Sequence, residues 1–210
     1  MKTLFETVVG SHLWGMEHEG SDIDIFRCIL MDSKSVLRGS KVGNSNYAEY
    51  GKIDMQVMEL GHLIDLLSEN NYNAILYVMS PHVRFFNGNT LENLRSILTY
   101  EGLSKQVFHS IHGLGVSNNR KYIVSGLDAS EHRCNIICRS LQFGINLLND
   151  GTVRFAKFEG GTPAKVESLI IELEHAFDAS KLPDKVPHST KVRYSELLLQ
   201  KRLEYLKEIS

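Results

Sequence analysis

Asp22 and Asp24, one residue apart in Ser21-Asp22-Ile23-Asp24-Ile25-Phe26, are the side chains best suited to chemistry in this 210-residue chain. Alternate residues of a strand share a face, so the two carboxylates would project together, about 6.5 Å apart along the strand. Like charges at that spacing repel unless something positive sits between them, and a pair of divalent ions is the usual reason. Upstream, a short apolar run ends in Gly10-Ser11-His12-Leu13-Trp14-Gly15. A tight Gly-Ser turn can aim backbone N–H groups at an anion. The chemistry to test is phosphate beside a carboxylate-held metal.

A third carboxylate, Asp54, lies in Lys52-Ile53-Asp54-Met55-Gln56-Val57-Met58-Glu59-Leu60, which alternates apolar and polar residues almost strictly. Such alternation predicts a half-buried strand with Asp54 on its polar face. The elements that must position these groups follow from the surrounding pattern. Residues 4–9 read as a buried strand ended by Gly10, and residues 23–31 as a second strand. Residues 32–51 are polar and rich in Gly, Ser and Asn, which predicts a loop. Two helices follow, at 62–69 and 74–79, separated by Asn70-Asn71 and stopped by Ser80-Pro81.

Beyond about residue 88 strand signals give way to helical periodicity. Thr90 reads as the cap of a helix reaching Leu98, and Leu103, Val107, Phe108 and Ile111 mark another apolar-periodic stretch. Asp128 and Glu131 have capping-box spacing before a long helix to Leu148, apolar on nearly every side. A Gly-containing loop with Arg154 and Lys157 covers 151–164, and Val166 to Phe177 predicts an amphipathic helix. Pro183 and Pro187 punctuate a linker. The last helix, about 190–208, carries Val192, Leu199, Leu203 and Leu206 on one stripe. The expected fold class is α+β: a small mixed sheet with flanking helices over residues 1–88, then an all-helical domain over 89–210.

A formal charge of −2 supplies no global field for steering polyanions, so any nucleic-acid contact must use a local patch. No apolar run approaches the roughly 20 residues that span a bilayer, and the N-terminus has no signal-type apolar segment. Cys28, Cys134 and Cys138 form an odd set in apolar stretches, which suggests buried free thiols in a reducing compartment. The expectation is a cytoplasmic protein with no membrane partner.

Taken together, Gly10-Ser11, Gly15 and Ser21-Asp22-Ile23-Asp24 resemble the G-S-x-x-x-G…S-D-x-D signature of the DNA polymerase β-type nucleotidyltransferase superfamily. Leu66-Leu67…Asn70-Asn71…Ser80-Pro81 is similar to a stretch of the nucleotidyltransferases found alongside RNA-repair ligases. Tyr72 replaces the proline of that pattern, and Trp14 stands where tyrosine is usual. The resemblance implies a nucleoside triphosphate, ATP or another NTP, with its phosphates on Gly10 and Ser11 and with Ser21 beside them. It implies two-metal catalysis, with two Mg²⁺ (or Mn²⁺) ions held by Asp22 and Asp24, and Asp54 as a ligand of the catalytic metal or as base. Transfer would release pyrophosphate and load an acceptor hydroxyl, either an RNA 3′ end, tRNA included, or a protein side chain as in antitoxin-type AMP transferases. A non-catalytic protein that keeps the fold to hold a nucleotide or a partner is the remaining reading.

Other candidates are set against plainer roles. Arg139 interrupts an apolar helix, and a buried arginine needs an anionic partner, which makes it a nucleotide-binding candidate. Lys121 and Arg133 could meet phosphate or could line a solvated face. His12, next to the turn, is a further candidate phosphate contact. His132, Cys134 and Cys138 lack the fourth ligand and close cysteine pairs of a structural zinc site, and read as part of a helix core.

Overall fold

The computed structural model describes residues 1–38, 48–49 and 53–209. The architecture is mixed α+β. Strands β1 (Lys2–Val8), β2 (Ile23–Leu30), β3 (Ala48–Glu49), β4 (Ile53–Glu59) and β5 (Val83–Phe86) form one sheet in the order β3-β4-β2-β1-β5. β1 is antiparallel to β2 and β5, while β4 is parallel to β2. The helices are α1 (Gly10–Leu13), α2 (Ser33–Leu37), α3 (Leu60–Ser68), α4 (Tyr72–Met79), α5 (Thr90–Ile97), α6 (Val107–Asn118), α7 (Glu131–Asp150), α8 (Pro163–Ala179) and α9 (His188–Ile209).

The sheet's residue parity explains much of the core. Phe26 and Gln56 are register partners on β2 and β4. Tyr77 of α4 stacks on Phe26 at 4.1 Å between ring centroids and donates its hydroxyl to Gln56 Oε1 at 2.5 Å. The next row on that face, Cys28 and Met58, is buried. Tyr77 thus covers this face two residues below the carboxylates.

The end of β1 is stapled from α4 onward. Thr7, fully buried, donates to the Tyr77 carbonyl at 2.8 Å. Ser80 donates to the Val8 carbonyl at 2.6 Å, and Val8 N–H donates to His82 O at 2.8 Å. Ser80 has an extended backbone, as a residue before proline prefers. Asn70 and Asn71 form a joint between α3 and α4. Asn70 takes a left-handed φ of 51° and donates to the carbonyls of Leu67 and Gly102, and Asn71 caps α4 through its side chain.

Contacts divide the chain into two compact units. The first comprises Met1–Leu13, Glu17–Gly102 and Val186–Ser210; the second comprises Trp14–Met16 and Leu103–Lys185. The cut expected after residue 88 therefore falls inside the first unit. α9 returns to that unit, packing on α3 and α5. Its Arg202 reaches Glu59 Oε1 and the Met31 carbonyl, both at 2.5 Å, and Lys2 pairs with Glu208. Periodicity within a helix carries no information about which distant element it meets.

Other expectations are corrected locally. Residues 32–51 are not loop throughout, since Ser33–Leu37 is a helix capped by Asp32; residues 39–47 and 50–51 lie outside the described residues. β5, which the pattern did not mark, is a four-residue edge strand exposed at every position. Thr90 opens α5 rather than capping it, and Asn89 holds the cap position. Ser130, not Asp128, caps α7 by accepting from Arg133 N–H. Asp128 accepts from Ser130 N–H and Arg133 Nε, and hydrogen bonds from the Ser130 side chain, then Arg133, then the Ser130 backbone hold its carboxyl pKa down at about 2. Cys28, Cys134 and Cys138 are buried free thiols. No helix among the described residues is long and apolar enough to cross a membrane.

Ser80 should matter more than its size suggests. Ser80→Ala removes the Ser80 hydroxyl's hydrogen bond to the half-buried Val8 carbonyl, a loss worth about 1 kcal/mol. Urea denaturation should record that drop with an unchanged m-value.

Candidate active site

The parallel pairing of β2 with β4 places Asp24 directly beside Asp54 in register. In-register residues on neighbouring strands share a face and sit about 4.8 Å apart at the backbone. Both are half-buried, at the open end of the face that Phe26, Gln56 and Tyr77 seal below. Two carboxylates so placed repel each other, and a cation between them relieves the repulsion.

The Gly-Ser turn abuts this pair. β1 ends at Val8, and Val9 N–H donates to the Asp24 carbonyl at 2.9 Å. Gly10 then takes a left-handed φ of 64°, and a Cβ built there would lie 1.7 Å from Asp24 Oδ2. Glycine is required twice over, by conformation and by the carboxylate pressed against its Cα. Ser11 follows in α1 and is half-buried. The Gly10–Ser11 turn and the Asp24 carboxylate are thus one contiguous feature.

The remaining candidates are distributed less tightly. Asp22 is exposed and precedes β2, outside the strand ladder. Ser21 closes the 18–21 turn, accepting from His18 N–H at 2.9 Å while its own N–H donates to His18 O at 2.9 Å. His12 Nε2 is buried with no hydrogen-bond partner among the described residues. Among the described residues no group of three or more His, Cys, Asp or Glu side chains is gathered to hold a metal, and this applies equally to His132 with Cys134 and Cys138.

The donor set nevertheless fits magnesium. Mg²⁺ takes one or two carboxylates and fills its other positions with other oxygen ligands and water, so the Asp24–Asp54 pair would supply carboxylates enough for it. Asp54 has a further neighbour that the sequence pattern hid. Glu49 of β3 is its register partner on the opposite side, in a stretch that read as polar loop because a two-residue strand has no period to detect.

In the second unit, Arg139 on α7 is half-buried. It donates from Nη1 to Met16 Sδ at 3.6 Å, and its guanidinium lies 5.3 Å from the Trp14 ring centroid. Trp14 is held edge-on by Phe143 and Phe155. The arginine's packing thus orders the segment that carries Gly15, whose φ of 61° suits glycine. Arg133 stacks on Tyr122 at 4.1 Å while pairing with Asp128, and Lys121 lies over the same ring at 4.8 Å. Arg154 pairs with Asp150, and Lys157 with Glu159.

The model of the RNA repair pathway DNA polymerase beta family (RlaP) matches residues 1–138. No curated protein matches the chain. Among solved structures, a nucleotidyltransferase-like protein from Exiguobacterium sibiricum is similar, with 12% identity and a TM-score of 0.37 over 99% of this chain and 73% of that one.

The Gly10–Asp24 contact can be measured as a coupling. Gly10→Ala should destabilise the fold by about 2–3 kcal/mol through left-handed strain and overlap. In an Asp24→Gly background the overlap disappears and only the strain of about 1–2 kcal/mol remains. A double-mutant cycle by chemical denaturation should therefore return a clear positive coupling.

Proposed function

The chain belongs to the RNA repair pathway DNA polymerase beta family, and from that premise we propose that it transfers a nucleoside monophosphate from an NTP to an acceptor hydroxyl. The observation that carries this reading is the in-register Asp24–Asp54 pair with Gly10 pressed against the Asp24 carboxylate. The family's RNA-repair context favours an RNA 3′ end, with tRNA among the acceptors to test.

In this mechanism the backbone N–H groups of the Gly10–Ser11 turn and the Ser11 hydroxyl receive the triphosphate, with Ser21 holding the loop that leads into Asp22. Asp24 and Asp54 would hold Mg²⁺ or Mn²⁺, with Asp22 as a further ligand. When bound, the metal supplies charge neutralisation at the phosphates. Asp54 accepts the proton of the attacking hydroxyl at its carboxylate oxygen. The acceptor oxygen bonds to the α-phosphorus, the bond to the bridging oxygen breaks, and pyrophosphate leaves. Tyr77 and Phe26 keep water from the floor of the site, so the carboxylates act in a medium less polar than water.

Incubation with each labelled NTP, Mg²⁺ or Mn²⁺, and either tRNA or total protein should place label on RNA. Label on protein alone would instead support AMP transfer to a side chain, and no label with retained NTP binding would support a non-catalytic nucleotide-binding role. Asp54→Asn should lower transfer by roughly 10²-fold or more while NTP affinity changes little. Turnover equal to wild type would remove Asp54 from the mechanism. Joint Asp22→Asn and Asp24→Asn should abolish transfer and the metal dependence of NTP binding.

A further inference from the structure

α9 has two apolar sides. Thr190, Tyr194, Leu197 and Lys201 face inward and are at most 7% exposed. On the opposite side Val192, Leu199, Leu203 and Leu206 remain 40%, 59%, 50% and 40% exposed. At about 100° per residue these four fall within roughly 60° of one another, and three of them repeat every seven residues. The apolar stripe that sequence periodicity marks on this helix is thus its outer side.

The two ends of this seam have different shapes. Its N-terminal half carries a shallow hollow of about 260 Å³ lined by His188, Lys191, Val192, Ser195, Glu196 and Leu199. Those positions form two successive diamonds of i, i+3, i+4 and i+7, the arrangement that receives a side-chain knob from a facing helix. The C-terminal half supplies knobs, Leu203 and Leu206. Sockets at one end and knobs at the other make the surface complementary to itself only when reversed.

We infer that this face binds a second copy of the chain, with the two α9 helices antiparallel about a two-fold axis. Seating the partner's Leu206 in the diamond of Val192, Ser195, Glu196 and Leu199 sets the register. Leu199 then packs on the partner's Leu203, and Glu196 comes beside the partner's Lys207. Each of these contacts occurs twice by symmetry. Glu196 and Lys207 are exposed and flank the seam on the same side, so the charges complement only in the reversed orientation. From Val192 to Leu206 the seam is about 21 Å long at 1.5 Å per residue. That is short for an obligate interface, so the dimer is reversible in the micromolar range.

Sedimentation velocity of the full chain across micromolar concentrations tests the proposal. Wild type should shift from monomer toward dimer as concentration rises. Leu199→Glu with Leu203→Glu should remain monomeric with an unchanged circular-dichroism spectrum, because both side chains are exposed. Glu196→Lys should weaken the dimer about tenfold by setting lysine against lysine twice. Adding Lys207→Glu to Glu196→Lys should restore wild-type affinity. A wild type that stays monomeric throughout, or a double charge-swap as weak as Glu196→Lys alone, overturns the inference.

Discussion

The site depends on a close approach between two backbone segments. Gly10 leaves β1 with a left-handed φ and carries Asp24 Oδ2 where a side chain would otherwise begin. Val9 N–H holds the same approach through the Asp24 carbonyl. Nothing bulkier than hydrogen fits between turn and carboxylate, which locks the Gly10–Ser11 turn against the Asp24 side chain. The rest of the first unit supports that contact. Ser80 and His82 fix the last residue of β1, and the parallel register of β4 delivers Asp54 beside Asp24.

Much of this was legible because two-residue parity is a strong signal when one face is sealed. In Asp22-Ile23-Asp24-Ile25-Phe26 the acidic residues and Phe26 share a parity, and the structure uses it: the carboxylate at the open end, the aromatic ring under Tyr77. Asp54 was legible for the same reason, since Asp54 and Gln56 alternate with apolar Ile53, Met55 and Val57 on β4. The Gly10–Asp24 contact was not readable. Spacing marks Gly10 as a turn residue, but only the folded chain shows which side chain occupies its missing Cβ.

The misses share a physical cause, which is that local pattern is blind to the partner. β5 exposes Val83, Phe85 and Phe86, so it lacks the alternation that burial on one face imposes. Asp128 and Ser130 both have cap chemistry within reach of α7, and the choice falls to Ser130 by backbone geometry. Asn70 reads as a helix breaker, yet it works as a joint whose amide ties α3 to Gly102. The outward stripe of α9 has textureless periodicity: the spacing is helical whether the partner is the same chain or another. The last helix rejoins the sheet unit through Arg202 and Glu59, a long-range pairing that no window of sequence contains.

The central claim is that Asp24 and Asp54, against the Gly10–Ser11 turn, form a metal-and-triphosphate site. Its most direct test is a crystal structure with a non-hydrolysable NTP and Mn²⁺, located by anomalous scattering. The account predicts manganese ligated by the Asp24 and Asp54 carboxylates and by phosphate oxygens lying on the Gly10–Ser11 turn. A triphosphate bound elsewhere, or bound on the turn with no manganese on either carboxylate, would contradict it.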